Sequence, residues 1–268
     1  MGQSKRRRGG LGKCIYCDAT DNLTDEHVLP YAMGGQLVLK ESSCTQCARV
    51  TGALEQRLLR GHWWPYRKKL GLRSRNPGAA DDLQTIKILK ANGEALTAKA
   101  TLDDFVIAIF FELVPPSILE GRETVGEPSG QAKIKKIDHW STEVLVNGNP
   151  YRLLQGDKIE FPVKLDAGDV TRFLAKVAHG YAISKEGLGA FEEFYLPKFI
   201  LGKTDGIQTY VGGYVSTILT EKLPGGGHNR MMVRNRGNLI SVCIQLFIDK
   251  HDPPPIYEII VGKRLSSN

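Results

Sequence analysis

The sequence predicts an α+β protein, with a small metal-stapled module followed by a larger α+β domain built on an antiparallel sheet. Two observations carry that prediction. Two Cys-x-x-Cys pairs, Cys14/Cys17 and Cys44/Cys47, lie close together near the start of the chain, and each pair can present two thiolates to one metal from a single turn. Beyond residue 83 the texture changes to short apolar runs separated by turn signals such as Asn92-Gly93 and Asn147-Gly148-Asn149. The expected organisation is a disordered basic arm over 1–12, a module with a basic and aromatic extension over 13–76, and an α+β domain over 83–268.

The bulk properties fit that scheme. Of 268 residues, 41% are hydrophobic and 24% charged, ordinary values for a globular chain. No apolar run approaches the ~18 residues of a membrane span. The start, Met-Gly-Gln-Ser-Lys-Arg-Arg-Arg, has no following apolar stretch and does not read as a secretory signal. No membrane is expected as a partner, and the expected location is the cytoplasm. Five cysteines, four of them in two tight pairs, favour a metal over disulfides in such a chain. Cys243, inside Ser-Val-Cys-Ile-Gln-Leu-Phe-Ile, is expected to be a small buried hydrophobe.

Charge is unevenly spread. Residues 1–76 hold 14 Lys+Arg against 6 Asp+Glu, a net of +8, and residues 77–268 hold 22 against 23, a net of −1, which together give +7. The basic excess travels with the cysteine segment, as it does in nucleic-acid-facing modules.

In chain order, a knuckle at Cys14–Cys17 leads into the strand Asp25-Glu26-His27-Val28-Leu29, stopped by Pro30. Gly34-Gly35 marks a tight turn or a close backbone approach. Cys44 and Cys47 open a helix running to about Arg60, with Val50, Leu54 and Leu58 on its apolar stripe. Trp63-Trp64-Pro65-Tyr66-Arg67-Lys68-Lys69, continuing to Arg73, interleaves aromatics with cations. Base stacking and phosphate contact would use that pattern; plugging the seam between domains with the tryptophans would use it equally. Residues 75–80 are the expected linker and 121–130 a loop. Strands are expected at 84–90, 95–100, 132–138, 142–147, 158–165 and 256–261, with β-rich stretches at 207–220 and 231–248. A helix over about 170–185, capped by Asp166 or Asp169, should bury Val170, Phe173, Leu174, Val177 and Tyr181.

The chemistry concentrates in the first module. Four thiolates make a closed tetrahedral site, which is structural rather than catalytic, and a module of about 50 residues needs such a staple to be rigid. Zn2+ is the expected ion. His27 is the only histidine between Cys14 and Glu55, and its imidazole can take a proton from water near neutral pH. A carboxylate beside it could hold a divalent cation against a phosphate. In a regular strand Asp25 shares a face with His27 while Glu26 points away; a bend would bring Glu26 round instead, so both are candidates.

The run Cys-x-x-Cys, Glu-His-Val-Leu-Pro, Gly-Gly, Ser-Cys-x-x-Cys and a helix bearing Thr-Gly-Ala-Leu-Glu resembles the zinc-bound bacterial branch of the HNH endonucleases, over residues 14 to about 60. The resemblance implies a ββα-metal fold, His27 as general base, Glu26 as metal ligand, the four cysteines as zinc ligands and Mg2+ or Mn2+ as catalytic ion. It implies metal-dependent hydrolysis of DNA phosphodiester bonds and, by analogy, bacterial defence, with a homo-oligomer or defence-system proteins as further partners. Val170 to Ala182 resembles, more loosely, the later part of larger bacterial HNH proteins.

One departure stands out. The family places Asn or His directly after the last cysteine as second metal ligand, and this chain has Ala48. Glu55, seven residues on and within about 20° on the same stripe, is the candidate substitute, or else it pairs with Arg57, Arg60 or another cation. Arg49, Arg57, Arg60, Trp63, Trp64, Arg67, Lys68, Lys69 and Arg73 are the expected nucleic-acid contacts. The alternative function is a zinc-stapled module that binds nucleic acid without cutting it.

Overall fold

The computed structural model describes residues 10–61, 63–72, 83–101, 105–121, 130–139, 143–146, 149–152, 154, 156–160, 166–214, 228–248 and 254–266. Most of the expected basic arm, the linker at 75–80, most of the loop at 121–130, Asn147-Gly148, and the ends of the strands expected at 158–165 and 207–220 lie outside the described residues.

The first module is a ββα unit. Strands β1 (Leu23–His27) and β2 (Val38–Cys44) form an antiparallel hairpin, and helix α1 (Thr45–Arg60) leaves directly from Cys44. The turn between the strands needs its glycines. Gly34 has φ +81°, and a Cβ on Gly35 would lie 1.9 Å from the Leu29 carbonyl oxygen. Helix α1 buries Cys47, Thr51, Leu54, Leu58 and Leu59. Leu54 and Leu58 are buried as expected, but in the turn before them Thr51 is buried and Val50 only half so. A short helix α2 (Trp64–Lys69) follows.

Strands β3 (Leu83–Leu89) and β4 (Ala95–Thr101) pair in full register around Asn92-Gly93. There Gly93 has φ +87° and the Asn92 side chain accepts the Glu94 N–H at 3.0 Å. With β7 (Glu143–Val146), β8 (Asn149–Arg152) and β9 (Lys158–Glu160) they make a sheet ordered β8-β7-β4-β3-β9, while β5 (Phe105–Leu113) and β6 (Gly130–His139) pair with each other.

Helix α3 (Ala167–Glu186) starts at Asp166, whose side chain accepts the N–H groups of Gly168 and Asp169. It lies on a second sheet. β10 (Phe191–Phe194) precedes a single-turn helix α4 (Pro197–Ile200), and β11 (Val211–Gly213), β12 (Arg230–Arg236), β13 (Leu239–Gln245) and β14 (Tyr257–Arg264) complete the chain. The order is β10-β14-β13-β12, with β11 also on β14. Cys243 is fully buried in β13, and burial pushes its thiol up to about 12.

One hydrophobic cluster spans both regions. Val28, Met33, Leu54, Leu58 and Trp63 belong to the same packed core as Phe173, Leu174, Val177, Val242 and Ile259. Trp63 meets Phe173 and Phe247 edge-on at 5.0 and 5.4 Å. Among the described residues, no helix is long and apolar enough to cross a membrane.

Candidate functional site

The four paired cysteines converge. The loop Cys14–Cys17 is closed by Cys14 N–H to the Ala19 carbonyl at 2.7 Å and laced to β2 by Ile15 N–H to Ser42 at 2.8 Å. Cys44 ends β2 as the N-cap of α1, and Cys47 sits in its first turn. The sulfurs lie within 4.8 Å of one another, with Cys17 and Cys44 3.6 Å apart. A tetrahedral zinc with bonds of about 2.3 Å requires sulfurs about 3.8 Å apart, so the cluster fits structural zinc with at most a small contraction. The helix start helps: the Cys47 backbone N–H draws the Cys44 thiol down to about 7.

The hairpin above this staple is bulged. Leu23 and Thr24 pair with Cys44 and Ser43, but Glu26 and His27 pair with Leu39 and Val38, so Asp25 alone opposes Lys40, Glu41 and Ser42. Glu41 takes φ +46° there, and its N–H donates to Asp25 at 3.2 Å. The bulge separates the two candidate carboxylates. Asp25 is exposed and ion-paired to Lys40, whose hydrogen bond holds its carboxyl below the usual range. Glu26 turns inward and is 6% exposed.

What Glu26 meets inside comes from the far end of the chain. Lys176 of α3 is 1% exposed and places its Nζ 2.7 Å from Glu26 Oε1 and 2.7 Å from Glu55 Oε1. The same ammonium donates to the carbonyl oxygens of His27 and, at 3.4 Å, Val28. Burial alone would lower the Lys176 pKa, but the two carboxylates raise it above its ordinary value. Tyr16, fully enclosed beside them, is pushed well up by burial and by the charges of Glu26 and Glu55. Of the partners considered for Glu55, the structure supplies a cation, though neither Arg57 nor Arg60. Thr51 spends its hydroxyl on the Cys47 and Ala48 carbonyls.

Glu26 and Glu55 therefore do not fit a divalent ion in this arrangement. The space between them holds an ammonium group, Ala48 offers no ligand, and Asp25 lies on the other side of the bulge. His27, half-buried, is the last residue of β1, with its carbonyl fixed by Lys176.

Two expected nucleic-acid contacts, Trp63 and Arg67, are used inside the fold, which corrects the expectation for them. Trp63 is buried in the core, taking the seam-plugging role. Arg67 is buried and donates to the carbonyls of Ala32 and Leu59 at 2.6 and 2.7 Å. Arg57 stays exposed while making a two-pronged pair with Asp169 of α3, both bonds 2.7 Å. Arg49, Arg60 and Lys68 are exposed and Trp64 is half-buried; the Lys69 side chain and Arg73 lie outside the described residues. The sequence reading missed Lys176, while His179, expected to be structural or exposed, is structural. The ring of His179 is fully buried between Tyr16 and Phe194 and hydrogen-bonds the Ile15 carbonyl at 2.7 Å. A lysine and a histidine among small apolar residues in Ala175–Gly180 were the available signal.

Residues 14–62 match the model of a protein family described as HNH endonuclease, in line with the resemblance carried by the cysteine pairs and the Glu26-His27 dipeptide. No curated protein matches the chain, and no solved structure does.

Proposed function

We propose that this chain is a DNA endonuclease of the HNH type that hydrolyses phosphodiester bonds with His27 as general base. The family match over residues 14–62 carries the reading. The position of His27 at the end of a strand braced by the cysteine staple on one side and Lys176 on the other supports it. A strand end held in this way gives the imidazole a fixed backbone from which it can reach the proton of an attacking water. Exposed Arg49 and Arg60 on α1 add to the positive charge of residues 1–76, suited to a phosphate backbone.

A second reading, binding nucleic acid without cutting, is favoured by Ala48 and by the lysine between Glu26 and Glu55. Supercoiled plasmid incubated with the full chain in Mg2+, Mn2+ or EDTA, beside His27→Ala, separates the two. The parent is expected to nick and His27→Ala to lose that activity by a factor of at least ~100. Equal nicking by both would remove His27 from the chemistry. Retention of DNA with no cleavage under any condition would establish the binding module. Cleavage that survives EDTA would show that no exchangeable divalent ion is needed.

A further inference from the structure

We infer that Lys176 is a tethered cation occupying a hard-metal donor set, so that the Glu26–Glu55 pair is bridged by a counterion from the protein itself and is closed to divalent ions. The observation is a convergence of oxygens on one nitrogen. Glu26 and Glu55 each approach Lys176 Nζ at 2.7 Å, and the His27 and Val28 carbonyls also accept from it. Two carboxylates and two carbonyls are the ligand types that Mg2+, Mn2+ and Ca2+ select. Without a cation the two acids face each other across a largely buried space, and burial, with a smaller push from the charge of Glu26, holds the Glu55 carboxyl up. Something positive must stand there, and α3 provides it.

The lysine is held in that register on both sides. Asp169, Phe173, Lys176 and Gly180 follow one another at spacings of four, three and four, hence along one stripe of the helix. Asp169 pairs with Arg57, Phe173 packs on Trp63, and Gly180 lies against Val28, where a Cβ would come within 3.3 Å of the valine side chain. His179, next to that stripe, bonds the Ile15 carbonyl. With contacts above and below it, the ammonium cannot withdraw unless the helix moves off the module.

Removing the ammonium while keeping the helix should therefore create a metal site. The probe is Mn2+, titrated into the zinc-loaded full chain and read by electron paramagnetic resonance. Lys176→Met is expected to gain one tightly held Mn2+ per chain, to lose it again in Lys176→Met/Glu55→Gln, and to recover thermal stability on adding Mn2+. In the parent, Glu55→Gln should leave Mn2+ binding unchanged. A folded Lys176→Met with no gained ion would overturn the inference. So would a parent whose Mn2+ binding disappears with Glu55→Gln, and that comparison decides the matter even if Lys176→Met does not fold. Manganese binding is read separately from plasmid nicking, so a failure here and a failure of the hydrolytic reading are distinguishable.

Discussion

A histidine that folds into a dry site as the neutral ring gives the native state an advantage that acid removes. Burial lowers His179 from 6.5 to about 4, only partly offset by its bond to Ile15. The folded pKa lies below the unfolded one, so the unfolded chain binds the proton first. The contribution is complete above about 6.5 and disappears as pH falls through about 4, worth ~3 kcal/mol over that interval. Urea denaturation across this window should show the parent losing stability steeply. His179→Gln, which keeps a donor for the Ile15 carbonyl, should flatten the slope while leaving any acid release of zinc in place. Equal slopes would mean that the loss belongs to the cysteines. The residue scale is also where the sequence was least legible. Periodicity identifies which face of a helix is buried, and it found Val170, Phe173, Leu174 and Val177. It does not say that a lysine on the same helix has partners 149 residues away, because nothing local distinguishes a buried cation from an exposed one.

Among the elements, α1 was the most legible. Its start at the second cysteine pair and its end near Arg60 both follow from local signals: the thiolate turn, the apolar recurrence and the basic last turn. The burial of Thr51 in place of Val50 was not legible, because α1 packs against β1, β2 and α3 together and no single apolar face describes that. The β3–β4 hairpin was legible from Asn-Gly alone. The bulge in β2 was not, since nothing in Lys40-Glu41-Ser42 signals an irregular strand. The contact of Trp63, just ahead of α2, with α3 gives an element-scale prediction. Trp63→Ala removes a ring packed on Phe173 and Phe247 and should cost about 3–5 kcal/mol, measured by chemical denaturation of the zinc-loaded chain. A loss below ~1 kcal/mol would show that the seam collapses around the gap or never depended on the ring.

For the whole molecule, the shared core makes the module dependent on the domain that follows it. A fragment spanning 10–72 would leave Val28, Met33 and Trp63 without the partners that bury them, and Glu26 and Glu55 without their counterion. Zinc would still close the cysteine site, but the fragment should give a poorly dispersed amide NMR spectrum even when zinc-loaded. A well-dispersed spectrum would show that the staple alone organises the unit. The boundary expected between 76 and 83 from composition reflects a change in texture. It does not mark a break in packing, because composition cannot report which surfaces later meet.

The lysine that balances Glu26 and Glu55 is also a matter of timing. During synthesis the cysteines, both acids and His27 emerge long before Lys176. At ribosomal rates the 149 residues that separate His27 from the lysine take on the order of ten seconds. In that interval the staple can close around zinc while Glu26 and Glu55 remain in water without their internal counterion. Arrival of α3 ends that state. The finished molecule thus carries its own counterion, supplied by a helix made long after the acids it serves.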